Sequence, residues 1–220
     1  MMNKPVLFCL DVSVYSDKEL YEESYSKVPQ IRKDKIDSFV FDKDKYLSLG
    51  AGRLLKHAFS CFGINDYVDR IIYNEYEKPL LKDGSVFFNL SHSGQWVICA
   101  MSDEVIGCDI EKIAPIEISL ANMLEDSEYI DIMSQEEELR EDMLYRFWTL
   151  KESFMKAVGL GVNLDLRDFR ISLGDKISVQ QNIDNKEYHF REITEIGGYK
   201  CALCSQANLD KLIIKTLDLH

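Results

Sequence analysis

Between residues 86 and 113 the chain is almost continuously strand-forming, with only two short polar breaks, and this rules out an all-helical fold. Residues 86–90, 95–101 and 105–113 read as three strands, and the last two are predicted to form a hairpin through the turn at 102–104. Helical patterns flank this region. Leu47, Ala51, Leu54, Leu55, Ala58 and Phe62 recur at helical spacing, with Asp42 as a candidate cap and Gly63 as the stop. A charged, helix-prone stretch precedes them. After the strands come short helical segments over 118–133 and a long helix over 135–158, ended by Gly159. Further strands are predicted at 6–12, 70–73, 169–173, 176–181, 188–193, 199–204 and 212–217.

Strand and helix do not alternate regularly, which argues against a doubly wound parallel sheet and for an α+β architecture of mostly antiparallel sheets with packed helices. Each half offers helices and several strands, so we expect two halves, residues 1–104 and 105–220, although no Pro, Gly or Ser-rich linker separates them. With 46% hydrophobic residues in a chain of 220, either one large core or two small ones is attainable. A net charge of −12 argues against nucleic acid as a partner, because phosphate backbones require a broad basic face. The apolar run at residues 5–10 is too short for a signal-peptide core and no stretch reaches membrane-spanning length, so a soluble, cytoplasmic protein is expected. The six cysteines are scattered, and Cys201-x-x-Cys204 lies on a predicted strand without a second pair; reduced thiols in the core are expected rather than a zinc site.

Three clusters carry chemistry. In Gly107-Cys108-Asp109-Ile110-Glu111-Lys112, strand alternation sets Asp109 and Glu111 on one face and Ile106, Cys108 and Ile110 on the other. Two neighbouring carboxylates suit a hard cation such as magnesium, which also takes phosphate oxygens; a solvated strand face has the same pattern. On the long helix, Phe147, Leu150, Phe154 and Val158 share a buried stripe, while Lys151, Glu152 and Lys156 flank Trp148 on another face. A Glu152–Lys156 pair at i,i+4 is equally an ordinary helix stabiliser. In Asn89-Leu90-Ser91-His92-Ser93-Gly94 a strand runs into small polar residues able to meet a phosphate; the adjacent Ser and His do not make a hydrolase triad.

In this order and spacing the three segments resemble the signature of the Sfp-type 4'-phosphopantetheinyl transferases: a Ser-His strand end, Gly-x-Asp-x-Glu, then Trp-x-x-Lys-Glu-x-x-x-Lys. The resemblance implies a pseudo-twofold duplicated fold that binds coenzyme A between its halves and transfers the 4'-phosphopantetheine arm to a serine of an acyl or peptidyl carrier protein, releasing adenosine 3',5'-bisphosphate. By that resemblance Asp109, Glu111 and Glu152 would hold magnesium, and Glu152 would also be the base. Lys156 would be catalytic and serve the phosphates together with Lys151, His92, Ser91 and the Lys78-Pro79 pair. Trp148 would orient the helix.

The sequence departs from the pattern at Glu77, where the family often has glycine, and at Tyr46, where an arginine toward the 3'-phosphate is expected. Arg32, Lys35, Lys43, Lys45 or Arg53 are candidate substitutes. Because the chain, coenzyme A and most carriers are all acidic, docking should rely on apolar contact, with Ile116, Ile118, Leu120, Met123 and Leu124 as a candidate surface or, equally, as ordinary core. A duplicated fold makes a monomer the expected state. The rival readings are a non-catalytic protein of the same fold that binds coenzyme A or a carrier, and a metal-dependent phosphohydrolase.

Overall fold

The structure is a computed structural model that describes residues 4–219. β1 (Val6–Asp11) is followed by a 3-10 turn, α1 (Lys18–Ser26), α2 (Gln30–Asp37), α3 (Asp42–Cys61) and α4 (Tyr67–Arg70). A short hairpin of β2 (Ile71–Tyr73) and β3 (Pro79–Leu81) leads to β4 (Phe87–Ser93) and β5 (Trp96–Ser102). The same succession then recurs. β6 (Ile106–Lys112) is followed by a 3-10 turn, α5 (Asp126–Met133), α6 (Glu137–Val158), a hairpin of β7 (Arg170–Leu173) and β8 (Ile177–Gln180), then β9 (His189–Glu192) and β10 (Tyr199–Ser205). β11 (Ile213–Thr216) closes the chain.

In each run the first strand pairs with the last and the last with the one before it, giving β1-β5-β4 and β6-β10-β9, all antiparallel. The fold is therefore an internally duplicated α+β structure, although no repeat is evident in the sequence. β11 crosses back to lie parallel to β1 and extends the first sheet.

Strand periodicity builds the layers. Val6, Phe8 and Leu10 of β1, with Val97, Cys99 and Met101 of β5, face α3 in one core. The alternate residues Leu7, Cys9, Ile98 and Ala100 meet Ile106, Cys108, Ile110, Cys201 and Leu203 of the second sheet in another. Ala202 and Cys204 point outward to Phe147, Leu150 and Phe154 of α6. Each of those three α6 side chains is fully buried, and each contributes about 1.5–3 kcal/mol of apolar transfer, enough to fix the helix on its sheet. All six cysteines are free, and among the described residues no helix is long and apolar enough to cross a membrane.

The predicted hairpin across residues 102–104 does not form. β5 already has β1 and β4 on its two edges, so β6 continues into the second sheet and pairs with β10. A strand apolar on both faces, as β5 is, belongs to a sheet interior, and its run of buried residues says nothing about which neighbour it takes. The actual hairpin is β4–β5, turning at Gly94 (φ 58°). The cap of α3 is Phe41, without a side-chain bond; Asp42 instead lies in the first turn, where its charge suits the helix dipole.

β4 and β6 meet side by side without sharing backbone hydrogen bonds. Side chains of β4 take the place of a strand partner: Asn89 Oδ1 accepts from Cys108 N–H at 2.9 Å, Ser91 Oγ from Ile110 N–H at 3.4 Å and Ser93 Oγ from Lys112 N–H at 3.1 Å. Polar residues at alternate positions of β4 thus satisfy the successive donors that Cys108, Ile110 and Lys112 present on β6's free edge. This seam joins the two sheets and carries Ser91, Asp109 and Glu111.

Candidate active site

Gly107, Asp109 and Glu111 face α6, opposite the apolar residues of β6 in the inter-sheet core. Gly107 is required there: a Cβ would lie 2.2 Å from Ser153 O and 2.3 Å from Ala157 N, so only glycine lets the α6 backbone rest directly on β6. That close approach sets Glu152 and Lys156 beside Asp109. Asp109 is 2% exposed; its Oδ1 accepts from Ser91 Oγ at 2.8 Å and from Lys156 Nζ at 2.5 Å. Lys156 Nζ also donates to Ser91 Oγ at 3.1 Å. Glu111 Oε2 accepts from Ser93 Oγ at 2.8 Å.

The electrostatics show one shared neighbourhood. Desolvation raises the pKa of Glu152, and Asp109 and Glu111 push it further up against the pull of Lys156. Desolvation raises Glu111 as well, with Ser93 opposing and Asp109 adding to the shift. Burial pulls the Lys156 ammonium down, but Asp109 outweighs it and the net shift is upward. Asp109 Oδ2 is buried with no hydrogen-bond partner among the described residues, an orphan acceptor of the kind that costs about 1–3 kcal/mol unless a ligand meets it. The acceptor-only chemistry of this group fits a hard divalent cation. Among the described residues no three carboxylate, His or Cys side chains already form a cage, so such a cation would draw on one or two carboxylates and complete its shell with water and phosphate oxygens.

A cavity of about 250 Å³ opens beside these groups, lined by Lys78, Pro79, Asn89, Glu152, Lys156 and Gly159. Its far wall is held by Asn74, whose Oδ1 accepts from Tyr76 N–H at 3.0 Å and Lys78 N–H at 2.8 Å while its Nδ2 donates to Gly159 O at 2.9 Å. Lys78 Nζ donates to Ala157 O at 2.8 Å, and burial lowers its pKa to about 8. Glu77 adopts φ 62°, a left-handed conformation that glycine enters without strain. A second cavity of about 100 Å³ is lined by Arg32, Lys35, Ser48 and His92, among others. Desolvation lowers the pKa of His92, and Lys156 and Lys35 lower it further.

One predicted site residue is misplaced. The resemblance puts Lys151 at the phosphates, but its side chain is 0% exposed in the core between α6, α5 and β7. There its Nζ donates to Glu128 Oε1 and to Phe169 O, both at 2.7 Å, and lies 4.1 Å from the Phe169 ring centroid. The cause is helical geometry: one residue before Glu152 the side chain turns about 100° away, toward α5 and β7. Tyr46 packs against Tyr15 and Tyr21 rather than facing a ligand. Asn89 and Ser93, expected only as part of a polar strand end, and Gly107, expected only as part of the Gly-x-Asp-x-Glu pattern, prove to hold the seam and the helix contact, and Asn74 was not expected at the site at all. The period-two polar pattern of β4 was a legible signal for the first two; Asn74 lies in an ordinary loop and carried none.

Paired carboxylates, lysines and a cavity at the seam of a duplicated α+β frame define a phosphoryl-transfer class of site. Comparison with known proteins specifies the class further. Residues 105–204 match the 4'-phosphopantetheinyl transferase superfamily, and residues 16–104 match the N-terminal 4'-phosphopantetheinyl transferase family. The chain is 33% identical over 193 residues to the 4'-phosphopantetheinyl transferase gsp of Aneurinibacillus migulanus, covering 86% of this chain and 81% of that one. It is 32% identical over 203 residues to the 4'-phosphopantetheinyl transferase ffp of Bacillus subtilis, covering 87% and 90%. A crystal structure of a holo-(acyl-carrier-protein) synthase from Bacillus anthracis aligns with 46% of this chain and 92% of that one, at 19% identity and a TM-score of 0.40. The chain belongs to the 4'-phosphopantetheinyl transferase family, and it is an enzyme of that class.

Proposed function

We propose that this enzyme transfers the 4'-phosphopantetheine group of coenzyme A to a serine hydroxyl of an acyl or peptidyl carrier protein, with magnesium, releasing adenosine 3',5'-bisphosphate. The observation that carries the reading is the meeting of Asp109, Glu152 and Lys156, from β6 and α6, at a cavity that also holds Lys78. In the division of labour we assign, residues 1–104 bind coenzyme A and residues 105–220 supply the carboxylates and the catalytic helix. A monomer in the cytoplasm suits a fold that is already duplicated and keeps six free thiols.

Asp109, Glu111 and Glu152 would hold the magnesium, with the unpartnered Asp109 Oδ2 the readiest donor. Bound there, the ion would neutralise pyrophosphate charge and orient it. Lys78, Lys156, Ser91 and His92 would meet the phosphates, and Arg32 and Lys35 beside His92 would receive the further phosphate that lies away from the pyrophosphate. In the free protein Lys156 sits on Asp109 and Ser91; loading the site gives its ammonium a phosphate oxygen instead. Glu152, whose pKa is raised, would take the proton from the incoming serine hydroxyl, which then attacks the β-phosphorus in line with the departing adenosine bisphosphate. Pro79 would flank the ligand from the cavity wall. The nucleophile comes from the carrier, so the adjacent Ser91 and His92 need form no nucleophile–base pair.

The test is intact-mass measurement of purified carriers incubated with the enzyme and coenzyme A, with and without a metal chelator. A gain of one phosphopantetheine on the carrier, lost with chelator, supports the reading. Cleavage of coenzyme A without a carrier would instead favour a phosphohydrolase, and binding without either reaction a non-catalytic protein.

A further inference from the structure

The second substrate must bring its serine to Glu152, and the surface beside that residue has an unusual composition. Trp148 precedes Glu152 by one turn of α6, and with Glu111, Ile116, Leu120, Leu144 and Tyr145 it lines an apolar groove of about 210 Å³. The groove shares Ile116 with a broader trough of about 590 Å³ that is walled by Ile118, Glu137, Glu138, Arg140 and Glu141. Residues 113–142 carry ten acidic side chains and one basic one, Arg140, within a chain whose whole net charge is −12. Glu128 is neutralised in the core by Lys151, and Asp142 by Lys200 at 2.8 Å. Glu137, Glu138 and Glu141 enter no salt bridge among the described residues; Arg140 lines the same trough but donates to Gln135 O, so three carboxylates against one guanidinium leave this rim net anionic.

We infer that this groove and its carboxylate rim select the carrier: the partner that fits is one whose face around the acceptor serine presents an apolar ridge flanked by lysine or arginine, and strongly acidic carriers are disfavoured. This rests on the transferase reading and adds to it a partner class. Apolar contact supplies affinity in the groove, and the rim decides between carriers, since like charges across an interface cost more than rim pairs contribute. Glu137 and Glu138 also lie in the first turn of α6, where they complement the helix dipole, and that role alone implies no choice of partner.

The experiment measures initial rates of phosphopantetheine transfer to one carrier and to its variant with the acidic residues around the serine changed to lysine, at low and high salt. The wild-type enzyme is expected to show a KM about tenfold lower for the lysine-bearing carrier at low salt, with kcat little changed. The gap should close near molar salt, where the Debye length is about 3 Å. The Glu137→Lys/Glu138→Lys enzyme should reverse the preference; a role confined to the helix dipole predicts a lower melting temperature and no reversal. Equal KM values, or a preference for the acidic form, would overturn the inference while leaving the transferase intact. Transfer to neither carrier would sink the transferase reading and this inference with it.

Discussion

The two runs of the duplicated fold put the same strand beside the same long helix and use the contact differently. β1 turns Val6, Phe8 and Leu10 toward α3, and the contact is sealed apolar core. β6 turns Gly107, Asp109 and Glu111 toward α6, and Gly107 draws the helix close enough that Glu152 and Lys156 share the carboxylates' surroundings. The first contact is a scaffold, and the second is where we propose the reaction takes place. One topology therefore provides both rigidity and chemistry, depending on which side chains occupy the helix-facing positions of one strand.

The comparison breaks most severely if Lys151 is lost. Lys151→Met leaves the buried Glu128 carboxyl without its cation in the core under α6, and we expect a loss of about 3–5 kcal/mol of stability, measured by denaturant unfolding. Lys156→Met takes the cation from buried Asp109 and should also cost stability, about 1–3 kcal/mol, less than Lys151→Met because the Lys156 side chain is 29% exposed and Ser91 still donates to Asp109; it should cut transfer by about a hundredfold or more, as loss of a positioned charge does. Two lysines on one helix thus differ in what they mainly serve, Lys151 the packing of the fold and Lys156 the proposed chemistry. Gly107→Ala is the next largest: a Cβ against backbone atoms of α6 should cost about 1–3 kcal/mol and lower transfer as Glu152 shifts, whereas Ala at the exposed turn glycine Gly197 leaves transfer unchanged.

A milder effect comes from pH. Lys78 titrates at about 8 in the free protein, and a bound phosphate favours its charged form. Binding of coenzyme A then takes up a proton above that pH, so affinity should be level below about 8 and fall as the pH rises past it. Calorimetry across that range checks this, and Lys78→Met should flatten the profile. The smallest expected change is Glu77→Gly, which relieves the left-handed backbone and removes a carboxylate from the cavity mouth. A stabilisation of about 1 kcal/mol and tighter coenzyme A binding are expected.

Much of this was legible in the sequence because it is local. Strand alternation at residues 106–111, the buried stripe Phe147, Leu150 and Phe154, and the stops at Gly63 and Gly159 depend on neighbours within a turn or two. What was not legible depends on distant partners. The buried place of Lys151 is set by Glu128, 23 residues away and on another helix. The partner of β6 was misread because an apolar run identifies a strand but not its neighbour, and β10 lies far along the chain. The demand for glycine at residue 107 comes from atoms of α6, again outside any local window.

The central claim is that β6 and α6 together make the reacting centre, with Glu152 as its base. Intact-mass assay of transfer by Glu152→Gln, paired with calorimetry of coenzyme A binding, tests it directly. The account predicts a rate about a thousandfold lower with binding retained. Transfer at the wild-type rate by that variant would contradict it.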